Sequence, residues 1–309
     1  MHSLPAEALD LLERFPYWPH APRDASARQV AEFAAGLLRD GAHHIARAAE
    51  GRAEALWVRQ DLPWDSEKLG LKSARATFVV APGSERAAAL CESAVEAALR
   101  EGYGYLFTRV DARDLATVQA CEKAGFVVVD AILSQYIDLP RAREMGATPE
   151  GLSLREGGPQ DAPALQRLVD ATLLHSRFHD DPKVGRERGR ELYREWAHNS
   201  VHGLNQFTAI ASIEGVDAGF LTVKDNAGAR EAFGKGYGRI ELVAVDARFR
   251  GQGVVGALTD FLIAACPRLG WERLGIGTQT WNVAAIRAYQ RAGFTPGDAI
   301  FSMRWRADD

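Results

Sequence analysis

The chain has 309 residues, a formal net charge of −4, 47% hydrophobic residues and 25% charged residues. This is the composition of an ordinary globular protein, and the length leaves room for two domains. The lack of a dense Lys/Arg cluster argues against nucleic acid or an anionic membrane surface as a partner. Residues 1–7 carry no secretory signal and no apolar run reaches membrane-spanning length, so we expect a cytoplasmic protein.

The three cysteines argue against a disulfide framework. Cys91, Cys121 and Cys266 are widely spaced and form no CxxC or Cys/His ligand pattern. We expect buried thiols in a reducing compartment, and no metal site.

The first 52 residues are predicted to be mostly helical, with an alanine-rich run at 31–38. They do not match the pattern found in the rest of the chain. We therefore expect a helical N-terminal extension at 1–52 that packs on the domain that follows it.

An internal repeat organises the remaining sequence. A shift of 168 residues places residues 114–126 on residues 282–294 without a gap, and both segments end in Ala-Gly-Phe. The same shift pairs Gly102 with Gly270. Self-similarity at one constant offset predicts two related halves.

The boundary between the halves is predicted at 141–151, where proline and glycine interrupt the hydrophobic pattern. This places a first domain at 53–140 and a second domain at 152–309. The second domain is predicted to open with a strand at 152–155. The further elements are helices at 161–173 and 191–196 and a strand pair at 206–213 and 218–223.

A glycine-rich turn follows the next predicted strand, at 240–245. Its sequence is Arg250-Gly251-Gln252-Gly253-Val254-Val255-Gly256, and an apolar helix begins after it. Backbone N–H groups at such a turn, together with the helix dipole, form an anion site suited to a pyrophosphate. Glycine permits close approach because it has no Cβ. A strand at 274–280 then leads to Trp281-Asn282 and a helix at 283–292, which Gly293 ends.

This order of strand, Arg-Gly-x-Gly turn, helix, strand and Asn-x-x-Ala-x-x-x-Tyr-x-x-x-Gly-Phe resembles the acetyl-CoA-binding core of the GNAT N-acyltransferase superfamily. The resemblance implies a tandem GNAT fold of the α/β (α+β) class, with a mixed, mostly antiparallel sheet flanked by helices. It also implies that acetyl-CoA is the acyl donor.

The same resemblance implies the cofactor contacts. The amides of the turn hold the pyrophosphate, the strand near Val243 and Val245 pairs with pantetheine, Asn282 bonds the cofactor arm, and Tyr289 lies beside the thioester sulfur. The cofactor-binding residues expected in this way are Val243, Ala244, Val245, Arg250, Gly251, Gln252, Gly253, Val254, Val255, Gly256, Asn282 and Tyr289. Val255 departs from the Gly or Ala usual in the family, and its β-branch is expected to crowd the approach.

Differences between the halves predict that only the second binds CoA. Cys121 stands at the position of Tyr289, Glu85 at that of Gly253, and Pro82 at that of Arg250. A carboxylate at the turn repels a pyrophosphate, and a thiol in an apolar helix does not replace a phenol as proton donor. The first half is therefore predicted to be a degenerate copy with a structural role.

Acyl transfer to an amine calls for an acid for the leaving thiolate and a base for the amine. Tyr289 is in the family's acid position, although an isolated helix tyrosine more often fills a core. Glu241 is the candidate base; its alternative is a sheet carboxylate paired with Arg239 or Arg248. An amine that loses its proton through water needs no dedicated base. A strand N–H near Val243 to Val245 is expected to meet the oxyanion.

Two loops point to the acceptor. The segment around His175, Arg177, Phe178 and His179, with Thr278 and Gln279 before the last helix, is predicted to bind the substrate. With Leu62-Pro63-Trp64-Asp65, these segments resemble the TDP-fucosamine acetyltransferase group. That resemblance implies N-acetylation of a TDP-linked 4-amino-4,6-dideoxyhexose, with Arg177 as a fork for the diphosphate. The N-terminal extension and an insertion at 225–231 depart from the group.

Other functions remain open from the sequence. One is acylation of a different small amine, such as an aminoglycoside, an amino acid or a thiol precursor. Another is a CoA-binding sensor or scaffold without catalysis. A homodimer is possible, and the sequence favours a small-molecule partner over nucleic acid or membrane.

Overall fold

The computed structural model describes two compact units. One comprises residues 1–131 and 298–309, and the other residues 132–297. The described ranges are 4–14, 21–22, 24–47, 51, 53–80, 86–140, 149–172, 178, 181, 184–226 and 228–309. Within these ranges, no helix combines the length and the apolar character needed to cross a bilayer.

The first unit is a five-stranded sheet with helices on it. Its elements are α1 (Ala6–Arg14), α2 (Ala27–Leu38), β1 (Ala42–Arg47), β2 (Ala53–Asp61), α3 (Pro63–Leu69), β3 (Ser73–Val80), α4 (Ala87–Arg100), β4 (Tyr105–Asp111), α5 (Leu115–Lys123) and the start of β5 (Val127–Asp138). Strands β1, β2 and β3 are antiparallel neighbours, and β3 runs parallel to β4. The fifth strand, described below, comes from the end of the chain.

The N-terminal segment is helical as predicted, but it is part of the first repeat. Ser26 and Gln29 form a reciprocal capping box at the start of α2. The two helices bury Leu11 and Leu38 against Leu56 and Val58 of β2. The two helices come directly before the antiparallel strands β1 and β2. In the second unit, too, two helices come before a pair of antiparallel strands. The element order is thus repeated although the sequence is not, and the extension predicted at 1–52 stays a prediction.

The second unit contains the predicted glycine turn. Its elements are β6 (Leu152–Glu156), α6 (Ala162–Thr172), α7 (Arg186–Asn199), β7 (Phe207–Ile213), β8 (Val216–Asp225), α8 (Ala229–Phe233), β9 (Tyr237–Val245), α9 (Val254–Leu269), β10 (Arg273–Gln279), α10 (Val283–Arg291) and the start of β11 (Thr295–Arg306). The strand order is β6-β7-β8-β9-β10-β5. One sheet face packs on α9 and α10, and the other on α6 and α7.

Each half of the sequence contributes most of its last strand to the compact unit of the other half. The second half of β5 pairs antiparallel with β10, from Arg273↔Asp138 to Gln279↔Ile132. The end of β11 pairs with β4, from Ile300↔Asp111 to Arg306↔Tyr105. The compact units therefore differ from the sequence-based boundaries at these strands. Most of the predicted linker, 141–148, lies outside the described residues.

The predicted repeat is visible in the elements. Strands β4 and β10, helices α5 and α10, and strands β5 and β11 each begin 168 residues apart. Asp114 caps α5 by accepting a hydrogen bond from the Thr117 N–H at 3.1 Å. Asn282, at the equivalent position, caps α10 through the Ala285 N–H at 3.2 Å. The region predicted as an insertion at 225–231 leads into α8, which corresponds in order to α3 of the first unit.

Candidate active site

Strand β9 carries a bulge at Glu241. Thr222 of β8 pairs with Leu242 and Val223 pairs with Ile240, so Glu241 has no cross-strand partner on β8. The extra residue reverses the side-chain alternation. As a result Ile240 and Val243 both contact the cluster under α9, whereas Leu242 packs with α6 and α7.

Beyond the bulge, β9 separates from β10. The parallel pairing runs from Tyr237↔Arg273 to Ile240↔Ile276 and ends there, although β9 continues to Val245. The edge of β9 that faces β10 is thus left without that strand as a partner. Unpaired strand N–H and C=O groups are a template for another extended chain. This edge holds the predicted pantetheine residues Val243, Ala244 and Val245.

The glycine turn forms an open cradle at the end of β9. Gly251 and Gly253 have φ of +77° and +86°, a region that favours glycine. Helix α9 begins at Val254, and the first N–H groups of a helix have no partner within it. A Cβ placed on Gly256 meets no atom within 4 Å. The donor set and the free space fit the pyrophosphate of CoA.

The side chains around the turn order it. Arg248 forks onto Asp246 at 3.0 and 2.8 Å, and these hydrogen bonds lower the pKa of Asp246 to about 2. Arg250 Nε donates to the Val245 carbonyl at 3.3 Å. Val255, which was expected to crowd the cradle, packs against the hydrophobic core instead.

Tyr289 lies in the same hydrophobic cluster as Val254, Ile276 and the partly buried Val243. It is 7% exposed and stands edge-on to Phe294, with ring centroids 6.4 Å apart. Burial raises the pKa of Tyr289, and its hydroxyl finds no hydrogen-bond partner among the described residues. The phenol is therefore held neutral, as a proton donor must be.

Glu241 forms an ion pair with Arg239, with Nε and Oε1 3.1 Å apart. Of the two alternatives for a structural partner, the structure shows Arg239; Arg248 binds Asp246 instead. Arg239 alternates with the core residue Ile240 and so lies on the sheet face of α6 and α7. The ion pair keeps the Glu241 carboxylate on that face.

The predicted acceptor residues are described only in part. His175, Arg177 and His179 lie outside the described residues. Phe178 is 4% exposed, so its ring is mostly enclosed by protein. Thr278 is buried and accepts a hydrogen bond from Asn282, while Gln279 is partly buried at the end of β10.

The first unit lacks the bulge. Strands β2 and β3 pair continuously from Ala55↔Val80 to Asp61↔Ala74. Counted back from the strand ends, Phe78 occupies the position of Val243. Its ring contacts Phe126 edge-to-face at 6.0 Å and Trp57 at 6.4 Å. Aromatic packing thus fills the space that the second unit leaves to Val243.

The first unit also differs at the predicted acid position. Cys121 is fully buried there, and a hydrogen bond with the Cys91 thiol raises the pKa of Cys121. The first unit therefore has a core thiol at the position where the second unit has a phenol. Pro82 and Glu85, the other predicted differences, lie outside the described residues.

A separate cavity of about 380 Å³ lies at the start of β9, near Tyr237 and Trp271. Asp225 and Arg230 are its charged lining residues. None of the predicted site residues lines it, and it is at the opposite end of β9 from the glycine turn. The separated strands, and not this cavity, hold the groups suited to acyl transfer.

Comparison with known proteins shows which family the second half of the chain resembles. Residues 171–294 match the acetyltransferase (GNAT) family model. A tandem GNAT protein from the clavulanic acid biosynthesis pathway has the same fold, with a TM-score of 0.60 and 20% identity over 99% of this chain and 97% of that one. The chain therefore has the tandem GNAT fold, and its residues 171–294 are similar to the GNAT acetyltransferases, a family that uses acetyl-CoA.

Two named proteins are similar to this chain in sequence. The chain is 24% identical over 261 residues to the spore coat polysaccharide biosynthesis protein SpsD of Bacillus subtilis (strain 168), covering 81% of this chain and 83% of SpsD. It is 27% identical over 194 residues to a mycothiol acetyltransferase of Propionibacterium freudenreichii subsp. shermanii. The second match covers 60% of this chain and 54% of that enzyme.

Proposed function

We propose that the protein transfers the acetyl group of acetyl-CoA to the amine of a nucleotide-linked amino sugar, by direct attack in a ternary complex. The observation that carries the proposal is the bulge at Glu241, which is followed at once by the separation of β9 from β10. Among the described residues of this unit, the Glu241 carboxylate thus lies beside the point where the neighbouring strands β9 and β10 separate.

The residues of the chain divide the binding task. Acetyl-CoA supplies an activated acetyl thioester. The N–H groups from Gly251 to Gly256 hold its pyrophosphate, and the β9 edge at Val243 to Val245 pairs with its pantetheine arm. A β9 N–H donates to the acetyl oxygen. The free edge, the positive φ angles and the open space at Gly256 support these roles.

Proton transfer is assigned to two side chains. An ammonium nitrogen gives up a proton, directly or through water, to Glu241 before its lone pair forms the C–N bond. Tyr289 gives its proton to the sulfur as the C–S bond breaks. The phenol is restored by the second proton that leaves nitrogen, so one proton is released per amide formed. The ion pair with Arg239 supports this role by holding the Glu241 carboxylate in place.

The sugar-nucleotide acceptor rests on two supports. SpsD acts in polysaccharide biosynthesis by its name, and the match covers most of both chains. The Trp64 and Arg177 segments resemble the TDP-fucosamine acetyltransferase group. The mycothiol acetyltransferase match favours a second candidate, in which the acceptor is the amine of a thiol precursor.

The test is thiol release from acetyl-CoA with a panel of amines. The panel contains dTDP-4-amino-4,6-dideoxygalactose, an aminoglycoside, free amino acids and a cysteine-containing thiol precursor. Saturable release at low concentration of the sugar nucleotide supports the proposal. Release only with the thiol precursor selects the second candidate. Tight CoA binding without release on any amine rejects both and leaves a non-catalytic CoA sensor.

A further inference from the structure

Thr222 presents a buried hydroxyl at the β9 bulge. Its residue exposure is 0%, and its Oγ1 has no hydrogen-bond partner within the described residues. A buried hydroxyl without a partner destabilises the folded protein. Such a group calls for a functional explanation, since an isosteric valine avoids this cost.

The placement of Thr222 links it to Glu241. It pairs with Leu242, and the next pair, Val223↔Ile240, passes over Glu241. Thr222 shares a sheet face with Phe220, which packs against α6 and α7. This is the face on which Arg239 holds the Glu241 carboxylate.

The first unit provides a natural comparison. The last residues of β3 and β9 align the two units: Val80 pairs with Ala55 of β2, and Val245 pairs with Gly219 of β8. Three residues beyond Ala55 and Gly219 stand Val58 and Thr222, which therefore occupy equivalent positions. In the first unit there is no bulge and the Val58 side chain belongs to the hydrophobic core. The hydroxyl is therefore present in the half that has the bulged carboxylate, and valine stands in the half that lacks it.

We propose that Thr222 is a positioning residue that donates a hydrogen bond to the water through which Glu241 takes the proton of the acceptor amine. The proposal rests on the proposed function. The proton moves from the ammonium nitrogen to the water, and a water proton moves to the Glu241 carboxylate. Thr222 itself neither gains nor loses a proton.

Other charges on the elements packed against β9 have partners of their own. They are Arg167 with Asp217 at 3.1 Å, Asp170 with Arg194 at 3.6 Å, Arg273 with Asp138 at 2.9 Å, and Arg268 with Glu156. Lys224 pairs with Arg239 across β8 and β9, on the sheet face that packs against α6 and α7. Asp260 is on α9, which packs against the opposite face of the sheet. Arg239 and Lys224 are thus the cations nearest along the strands to the bulged carboxylate.

The experiment compares Thr222→Val, Thr222→Ser and the control Thr208→Val. Thr208 pairs with Thr222 on β7, one strand further from Glu241, and is 5% exposed. Each variant is assayed for thiol release with dTDP-4-amino-4,6-dideoxygalactose and the other panel amines from pH 5 to 9, and for CoA affinity by calorimetry. Thermal melting checks the fold, and Thr222→Ala is a second hydroxyl-free variant.

We expect Thr222→Val to lower kcat about tenfold while the KM for the amine and the CoA affinity stay at wild type, because the hydroxyl positions the water of the proton transfer and does not bind either substrate. Thr222→Ser restores kcat, and Thr208→Val stays at wild type. An active wild type with an unchanged kcat in the folded Val or Ala variant overturns the role of Thr222 alone. A wild type silent on every amine overturns the proposed function and this role with it.

Discussion

Asn282 donates through Nδ2 to the Thr278 hydroxyl at 3.1 Å, while its Oδ1 caps α10. The residue thus ties the end of β10 to the start of the helix that carries Tyr289. In the first unit, Asp114 makes only the helix cap, because a carboxylate has no hydrogen to donate to a neighbouring hydroxyl. The amide N–H that remains is the donor predicted to bond the cofactor arm.

Asn282→Asp separates the two roles. The variant keeps an oxygen for the Ala285 N–H, so we expect its melting temperature to stay near wild type. It loses the donor, so CoA affinity should fall by about fivefold to tenfold, a change equivalent to one hydrogen bond. Asn282→Ala also removes the cap, which costs about 1 kcal/mol. Calorimetry and thermal melting check both; equal CoA affinity in the Asp variant contradicts a cofactor contact.

Tyr289→Phe tests the acid. The substitution keeps the ring that packs on Phe294, and we expect kcat to fall by about 10²- to 10⁴-fold with little change in CoA affinity. Burial raises the pKa of Tyr289 above that of a free phenol. Any loss of activity that deprotonation of this group causes should therefore occur at higher pH than a free phenol would give. Stopped-flow thiol release measures both effects, and equal turnover in the Phe variant removes Tyr289 from the mechanism.

Glu241→Gln tests the base against its structural alternative. The amide keeps a polar contact with Arg239 but accepts no proton, so we expect a kcat about 10²-fold lower. Arg239→Gln is the matched variant, since it removes the same ion pair and leaves the carboxylate in place. Equal losses of kcat in both variants indicate that Glu241 is structural.

Gly253→Glu copies the residue found at the matching position of the first half, Glu85. Gly253→Gln is its control, because both side chains meet the same strain at φ +86°. We expect the Glu variant to bind CoA at least tenfold more weakly than the Gln variant, since a carboxylate repels the pyrophosphate. The difference should shrink at high ionic strength. Identical affinities in the two variants place the pyrophosphate elsewhere.

The exchanged strands predict that the second half does not fold alone. A fragment of residues 152–309 lacks Ile132–Asp138, the seven residues that pair with β10. It also leaves the end of β11 without β4. We expect this fragment to be insoluble or unable to bind CoA, and co-expression of residues 1–140 to restore binding. Tight CoA binding by the fragment alone contradicts the prediction.

Local chemistry made much of the site predictable. The glycines at 251 and 253, the cap at Asn282, and Tyr289 seven residues beyond it are encoded within short segments, where φ preferences and helix periodicity operate. The constant offset of 168 residues predicted the repeat for the same reason. The sequence also predicted that Cys121 replaces Tyr289, but not that Phe78 fills the space of Val243.

Only the tertiary structure decided the bulge at Glu241, the exchange of β5 and β11, and the place of α1 and α2 in the first repeat. Each depends on which strand lies beside which, and in what register. Nothing within the run 237–245 marks Glu241 as the extra residue, and Thr222 gave no signal at all. Register is fixed by contacts between residues distant in sequence, because a strand's backbone hydrogen bonds are all made with other strands.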